Sequence, residues 1–421
     1  MWEWVLWWTV AMGDRLATLP TAGREVGTRL LTERLTALRR AGYSPLRQGL
    51  WLQSAEGLVL AEHQGTVPLP AASLTKLATT LVALDQWREN HRFVTTVAAG
   101  GPIQNGVLQG DLWVQGGGDP LLVWEDAIAL GNALNQLGIR RVAGNLVVTG
   151  NFWMNFTTDR AESAAWLQEG MNANLWSSEA ATQYAQMPAG TPRPQVAVAG
   201  RVLTPASASA LSLSSQTLLR YESLPLWQIL HRLNIFSNNF MADVLAVQLG
   251  GARYVQRRAL ALTGVSAAEL QLVNGSGLGV QNRMSPRAAV ALTVALDRVA
   301  RQQGLTLADL LPEGRCRCGT IEHRNLPAGS FVKTGTLNEV SALAGVVQTR
   351  ERGPLWLALL EGGAGAIETF HGGQERFVQG LTITWGEGRP VDLAGLLTPS
   401  FVPRPWREEN RVRFTTVQTS E

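Results

Sequence analysis

Residues 69–87, LPAASLTKLATTLVALDQW, read as a helix that is apolar almost all the way round. A helix without a polar face has to be covered on every side, so this segment predicts a central, buried helix. Its exceptions are Ser73 and, three residues on, Lys76, both near its start. Burying an ammonium is costly unless it is given partners. Packing alone does not explain the pair.

Counting sharpens the question. The 36 Lys plus Arg residues comprise 34 arginines and only two lysines, Lys76 and Lys333. Arginine holds an anion but does not give up its proton in a protein. Lysine can be neutralised by burial and by a neighbouring positive charge, and it is then a base. Chance composition could leave two lysines over, so their surroundings decide. On a helix, Ser73 and Lys76 share a face one turn apart. That spacing suits a serine whose proton is taken by an amine, close to the unpaired N–H groups and dipole of a helix start. Taken alone, S-x-x-K is a weak signal, equally satisfied by a capping serine and an incidental lysine.

Lys333 lies in SFVKTGTLNEVSALAGVVQTR, which reads as a strand bearing Lys-Thr-Gly, a turn around Leu337 to Glu339 and a second apolar strand. Gly335 permits close approach to the strand backbone, and Lys333 and Thr334 offer a cation and a hydroxyl for a carboxylate. Between the lysines, LHRLNIFSNNFMADVLAVQLG reads as two helical stretches interrupted at Ser237-Asn238-Asn239. In isolation that is an ordinary helix–helix turn. No other serine in the chain has Asn two residues later.

In chain order the three elements read S-x-x-K, S-x-N, K-T-G, and they use both lysines. This triplet resembles the active site of the penicillin-binding protein and serine β-lactamase superfamily. The 164 residues from Ser73 to Ser237 (237 − 73) leave room for an inserted domain. Within them HRFVTTVAAGGPIQNGVLQGDLWVQGGGDPLL is similar to the insertion that follows the catalytic helix in D-alanyl-D-alanine carboxypeptidases of the penicillin-binding protein 4 type (peptidase family S13). That family has Asp-Gly-Ser-Gly-Leu-Ser after S-x-N, with Asn-Arg and Ser-Pro behind; here NGSGLGVQNRMSP, residues 274–286, corresponds. Asn274 stands for the family's Asp and Gly279 for its Ser, which opens the question of the hydrogen bonds the acid makes. The resemblance covers roughly residues 40 to 385, with a shortened insertion. The esterase and class C β-lactamase pattern requires Tyr-x-Asn, and Tyr43, Tyr184, Tyr221 and Tyr254 are followed by Pro, Gln, Ser and Gln at the second position. Class A β-lactamases carry Ser-Asp-Asn and a separate deacylating Glu, whereas this chain has Ser-Asn-Asn.

The resemblance implies an α+β fold, a β-lactamase-like serine hydrolase domain with an antiparallel sheet flanked by helices, interrupted by a smaller inserted α/β domain. Residues 48–62 read as a hairpin turning near Glu56-Gly57, and SALAGVVQTR with PLWLALLEGG as a second. Helices are expected over 72–87, 226–249 and 286–303, the last capped by Ser285 and Pro286, and over 124–137 in the insertion. The catalytic domain is expected over 21–91 and 206–395 and the inserted domain over 92–205. ASASALSLSS reads as a loop returning from the insertion, and residues 396–421 as a poorly ordered tail. MWEWVLWWTVAM, within residues 1–20, is too short to span the ~30 Å of a bilayer core and lacks a basic n-region. It reads as an apolar arm or the remnant of an export signal.

Composition fits a large core, at 45% hydrophobic residues, and a net charge of +3 with no Arg–aromatic run argues against nucleic acid. Five scattered histidines give no metal site. Cys316 and Cys318, with one residue between them, leave little room for unstrained disulfide geometry and read as free thiols.

Carried onto this chain, the family assigns Ser73 as nucleophile, Lys76 as its base and Ser237 as a proton relay. Asn239, Lys333, Thr334, Gly335 and Thr336 form the substrate site, with the Ser73 and Thr336 N–H groups as oxyanion hole. The implied activity is serine-type D-Ala-D-Ala carboxypeptidase, with DD-endopeptidase activity open, on peptidoglycan stem peptides through an acyl-enzyme, inhibited by β-lactams and needing no metal or organic cofactor. A β-lactamase and a non-catalytic penicillin-binding scaffold are the alternatives. A periplasmic or cell-envelope location follows, with peripheral membrane association left open.

Overall fold

The computed structural model of the chain describes residues 23–205, 216–388 and 411–415. The apolar N-terminal arm, ASASALSLSS and most of the C-terminal tail lie outside these residues. The described chain gathers into two compact units, one made of residues up to Glu89 and from Leu230 through 388, the other of Asn90–Ile229 with residues 411–415.

In the first unit, helix α1 (residues 23–40) leads into β1 (Gln48–Gln53) and β2 (Val59–His63), a hairpin with Gly57 at φ 84 in its turn. A 3₁₀ turn, Ala72–Leu74, opens α2 (Thr75–Trp87). Helices α3 (Leu226–Phe236), α4 (Asn239–Gln248), α5 (Ala252–Thr263) and α6 (Pro286–Arg301) follow. Ser285 caps α6 by accepting from Ala288 N, with Pro286 in the first turn. Strands β3 (Ser330–Leu337), β4 (Val340–Thr349) and β5 (Gly353–Gly362) precede α7 (Ile367–Trp385).

The sheet order is β3-β4-β5-β1-β2, antiparallel throughout. Because successive strand side chains face opposite sides, Leu50 and Leu52 join Leu343, Val347, Leu357 and Leu359 under Phe377, Val378 and Leu381 of α7. On the other face a Cβ on Gly49 would meet the Pro286 ring, so α6 packs there, with α2 against it. Residues Thr75 through Leu84 of α2 are all buried, Lys76 included, as an all-round apolar segment requires. Each such Leu or Val contributes about 1.5–3 kcal/mol when fully buried. Both expected hairpins and the helices over 72–87, 226–249 and 286–303 are present, with the 226–249 stretch broken at Ser237-Asn238. The fold is α+β with an antiparallel sheet flanked by helices, as expected.

The second unit is built on a six-stranded sheet in the order Val202–Leu203, Leu146–Asn151, Leu112–Gly117, Val94–Ala99, Gln216–Glu222, Val412–Phe414. Its first three strands are parallel and the others antiparallel. Helix Trp124–Gln136 connects the parallel pair Leu112–Gly117 and Leu146–Asn151, and Leu112, Val114, Trp124, Leu130, Leu134, Leu146 and Val148 share one core.

Two boundaries differ from the expectation. Strand Gln216–Glu222 lies in the sheet of the second unit, whereas the sequence reading placed residues from 206 on in the catalytic domain. The tail expected to be poorly ordered supplies Val412–Phe414, which pairs with that strand. The reason is Arg411, whose buried guanidinium donates to Asp126 at 2.6 Å, lies 3.6 Å from Asp119 and sits 4.7 Å from the centre of the Tyr221 ring. Burial pushes the Asp119 carboxyl up to about 7 against the opposing Arg411 charge. An Arg/Pro-rich segment carries no periodicity that would signal three paired residues, and its partner Asp126 is 285 positions away. Arg411→Met is expected to leave Asp126 and Asp119 buried without their cation, costing this unit about 3–5 kcal/mol. Hydrogen exchange over Gln216–Glu222 should accelerate accordingly; unchanged protection would show that Arg411 does not hold the strand.

Candidate active site

Ser73 sits in the 3₁₀ turn just ahead of α2 rather than inside the α-helix, one step earlier than the sequence spacing suggests. The preceding residue, Ala72, has φ 46, a left-handed conformation that a non-glycine residue adopts only where its surroundings impose it. Those surroundings are tight. A Cβ on Gly277 would overlap the Ala72 carbonyl, and a Cβ on Gly335 of β3 would lie 3.0 Å from Ser73 N. The second non-glycine kink at the site is Ser237, φ 52, in the break between α3 and α4. Asn238 caps α4 by accepting from Met241 N, which fixes Asn239 as the first residue of that helix.

Lys76 is fully buried, and its Nζ donates to Ser73 Oγ at 2.8 Å, Asn239 Oδ1 at 2.7 Å and the Ser276 carbonyl at 2.7 Å. Burial pushes its ammonium down to about 7, while the Asp243 carboxylate raises it. Because Lys76 holds the Asn239 oxygen, the Asn239 NH₂ is left for another partner. Lys333, also fully buried, donates to Ser237 Oγ at 2.9 Å and to the Thr334 carbonyl at 2.9 Å. Burial, and after it the charge of Lys76, holds Lys333 well below the usual ammonium range. Thr334 Oγ1 donates to Thr320 Oγ1 at 2.7 Å. Strand β3 is an edge strand, with Gly335 against the Ser73 turn and Thr336 exposed beyond it. The structure thus brings Ser73, Lys76, Ser237, Asn239, Lys333, Thr334 and Gly335 together, with Thr336 next along the strand.

Three participants escaped the sequence reading. Ser276 acts through its backbone carbonyl, which no side-chain motif marks. Asp243 takes the N–H groups of Gly275 and Ser276 on Oδ1, at 2.9 and 2.8 Å. Its position four residues after Asn239, on the same helix face, is the signal that could have found it. Thr320 reaches Thr334 from a loop with no regular pattern. Asn274, which replaces the family's Asp, still builds its turn: its Oδ1 accepts from Gly277 N at 2.8 Å and its Nδ2 donates to the Leu278 carbonyl at 2.8 Å. The second bond is one an aspartate could not donate. Gly279 has φ 97, where a serine side chain would be strained.

Cys316 and Cys318 form a disulfide, contrary to the expectation of free thiols. Arg317 between them has φ 46, which folds the chain back and brings the Cα atoms to 5.2 Å, within the range a disulfide spans. The loop continues into Gly319, where a Cβ would overlap the Ile235 carbonyl near the end of α3, and so into Thr320.

The family model of the D-Ala-D-Ala carboxypeptidase 3 (S13) family matches residues 47–187 and 192–376. Carboxypeptidase DacB of Mycolicibacterium smegmatis is 27% identical over 383 residues, covering 78% of this chain and 80% of that protein. Among solved structures, the predatory endopeptidase Bd3459 of Bdellovibrio bacteriovorus superposes with a TM-score of 0.71 at 20% identity, over 87% of this chain and 99% of the other. Penicillin-binding protein 4 (dacB) of Haemophilus influenzae gives a TM-score of 0.60 at 18% identity, over 81% and 96%. At these identities the structural likenesses speak for the fold, and the family match carries the assignment: the chain belongs to the D-Ala-D-Ala carboxypeptidase 3 (S13) family and is a serine-type D-Ala-D-Ala carboxypeptidase.

Proposed function

We propose that Ser73 attacks the carbonyl between two D-alanines of a peptidoglycan stem peptide, with Lys76 as general base. The observation that carries this is the hydrogen-bond pattern of Lys76, together with its displacement to about 7. A neutral amine has two N–H groups and one lone pair. With the N–H groups directed to Asn239 Oδ1 and the Ser276 carbonyl, the lone pair is left facing Ser73 Oγ. Ser237 accepts from Lys333, so its own proton is free for the leaving amine. The Asn239 NH₂ meets the substrate amide, and Lys333 with Thr334 holds the terminal carboxylate, whose charge in turn favours the Lys333 ammonium. The Ser73 and Thr336 N–H groups receive the oxyanion, a contribution of several kcal/mol in such sites. Water then hydrolyses the acyl-enzyme.

DD-endopeptidase activity uses the same bond and the same groups. β-Lactams acylate Ser73 because they present the same carbonyl and carboxylate. Catalysis resides in the unit of residues up to Glu89 and from Leu230, with Asn90–Ile229 as an inserted domain. The substrate places the enzyme in the cell envelope, in the periplasm or peripherally on the membrane. Among the described residues no helix is long and apolar enough to cross a membrane.

Ser73→Ala should abolish the covalent penicillin adduct seen by mass spectrometry and leave the fold intact; an adduct mapped to another residue would remove Ser73 from this role. The two lysines should respond differently to arginine. Acylation by a fluorescent penicillin needs neutral Lys76, so the parent rate should rise about tenfold per pH unit up to about 7 and level off above it. Lys76→Arg puts a permanent cation at the base and should lose that limb and about 10²–10⁴-fold in rate. Lys333→Arg keeps a cation for the carboxylate and should keep the limb, while its larger head misplaces the substrate, costing on the order of 100-fold. A Lys76→Arg enzyme acylating as fast as the parent would exclude Lys76 as the base.

A further inference from the structure

From the geometry around α4 we infer that Asp243 is a positioning residue for the reaction, anchoring the Gly275–Ser276 loop on which Lys76 rests and supplying the negative charge that tunes the base. This rests on the reading of Lys76 as general base and assigns the group that sets when that base is available.

Asp243 stands one turn after Asn239 on α4, so both side chains point to the same side. Asn239 takes an N–H of Lys76 directly, at 2.7 Å. Asp243 does not touch Lys76; its Oδ1 receives Gly275 N and Ser276 N at 2.9 and 2.8 Å. The other end of the same Ser276 residue, its carbonyl, accepts from Lys76 at 2.7 Å, and the Gly275 carbonyl accepts from Thr79 Oγ1 on α2 at 2.8 Å. The loop is thus held from α4 by a carboxylate and from α2 by a hydroxyl, with the Lys76 acceptor between them. A side chain at position 275 would overlap the Ala242 carbonyl, so the loop lies directly on the α4 backbone.

The charges facing Lys76 are Asp243 from α4 and Lys333 from β3. The other groups on it, Ser73 Oγ, Asn239 Oδ1 and the Ser276 carbonyl, are neutral oxygens. Asp243 raises Lys76 against the burial that lowers it. Without the carboxylate, burial acts on Lys76 unopposed. Lys76 then loses its proton at lower pH, and as a weaker base it drives proton transfer less well.

The test separates charge from anchoring. Asp243→Asn keeps an oxygen acceptor for the two N–H groups and removes the charge; Asp243→Ala removes both. Second-order acylation by a fluorescent penicillin is measured against pH, each rate normalised to the fraction of enzyme labelled at completion. For Asp243→Asn the acid limb should move to lower pH, gaining about tenfold in rate on that limb for each unit it moves, while the plateau at high pH drops. The parent and Asn profiles should therefore cross. Asp243→Ala should be slower than the parent across the whole range. A second readout is independent of acylation. With only two lysines in the chain, ¹³C labelling at lysine Cε gives two resonances, and Lys76→Arg identifies which is Lys76. That resonance should titrate at lower pH in Asp243→Asn than in the parent. An unmoved limb and an unmoved Lys76 resonance would overturn the inference, as would an Asn variant slowed evenly at every pH. A parent enzyme without a rising limb would overturn the general-base reading itself, with this inference falling alongside it.

Discussion

Everything at this site follows from placing two ammonium groups, Lys76 and Lys333, where water does not reach either. A charge moved out of water is costly unless neutralised or surrounded by oriented oxygens. The fold supplies oxygens from several elements: Ser73 from the turn before α2, Asn239 from α4, Ser276 from the loop behind it, Ser237 from the break between α3 and α4, and Thr334 from β3. These come from separate parts of the chain, and each must arrive to within a hydrogen bond. That requirement accounts for the glycines pressed on neighbouring backbone at 275, 277 and 335. It also accounts for left-handed Ala72 and Ser237, of the kind costing about 1–3 kcal/mol each.

What the sequence disclosed depended on whether the information was local. The α2 helix was legible because an unbroken apolar surface has one solution, burial, and the hairpins because their turns are marked and their strands apolar. The residues proposed as catalytic were legible for a less usual reason: lysine is so rare here that its two occurrences stand out. The Asn239 side chain was readable; the Ser276 carbonyl was not, since every residue has one. Asp243 lay within reach of helical periodicity but belongs to no three-residue motif. The disulfide was not legible because a single intervening residue leaves little room for disulfide geometry unless the backbone folds back, and the left-handed conformation of Arg317 that does so has no mark in the sequence. The tail strand was misjudged because composition describes solvation, and Arg411 is held instead by two distant carboxylates and an aromatic ring.

The departures from the family pattern fall where the loop can absorb them. Asn274 keeps the acceptor that closes the turn on Gly277 and adds a donor to Leu278. An acid at that position would have brought a second negative charge beside the loop that Asp243 already holds. With Asn274 neutral, Asp243 is the negative charge that acts on Lys76.

Under the proposed mechanism the substrate completes this electrostatic arrangement. In the free enzyme the two lysines disfavour each other's charge, and burial disfavours both. A carboxylate arriving at Thr334 lies nearest Lys333 and favours its protonation there. A charged Lys333 then weighs on Lys76 and favours the neutral amine that the attack requires. Asp243 opposes this from the other side, which keeps Lys76 basic enough to take a proton once it has lost its own. The terminal carboxylate is therefore more than a handle for binding, because it sorts the two lysines into one cation and one base.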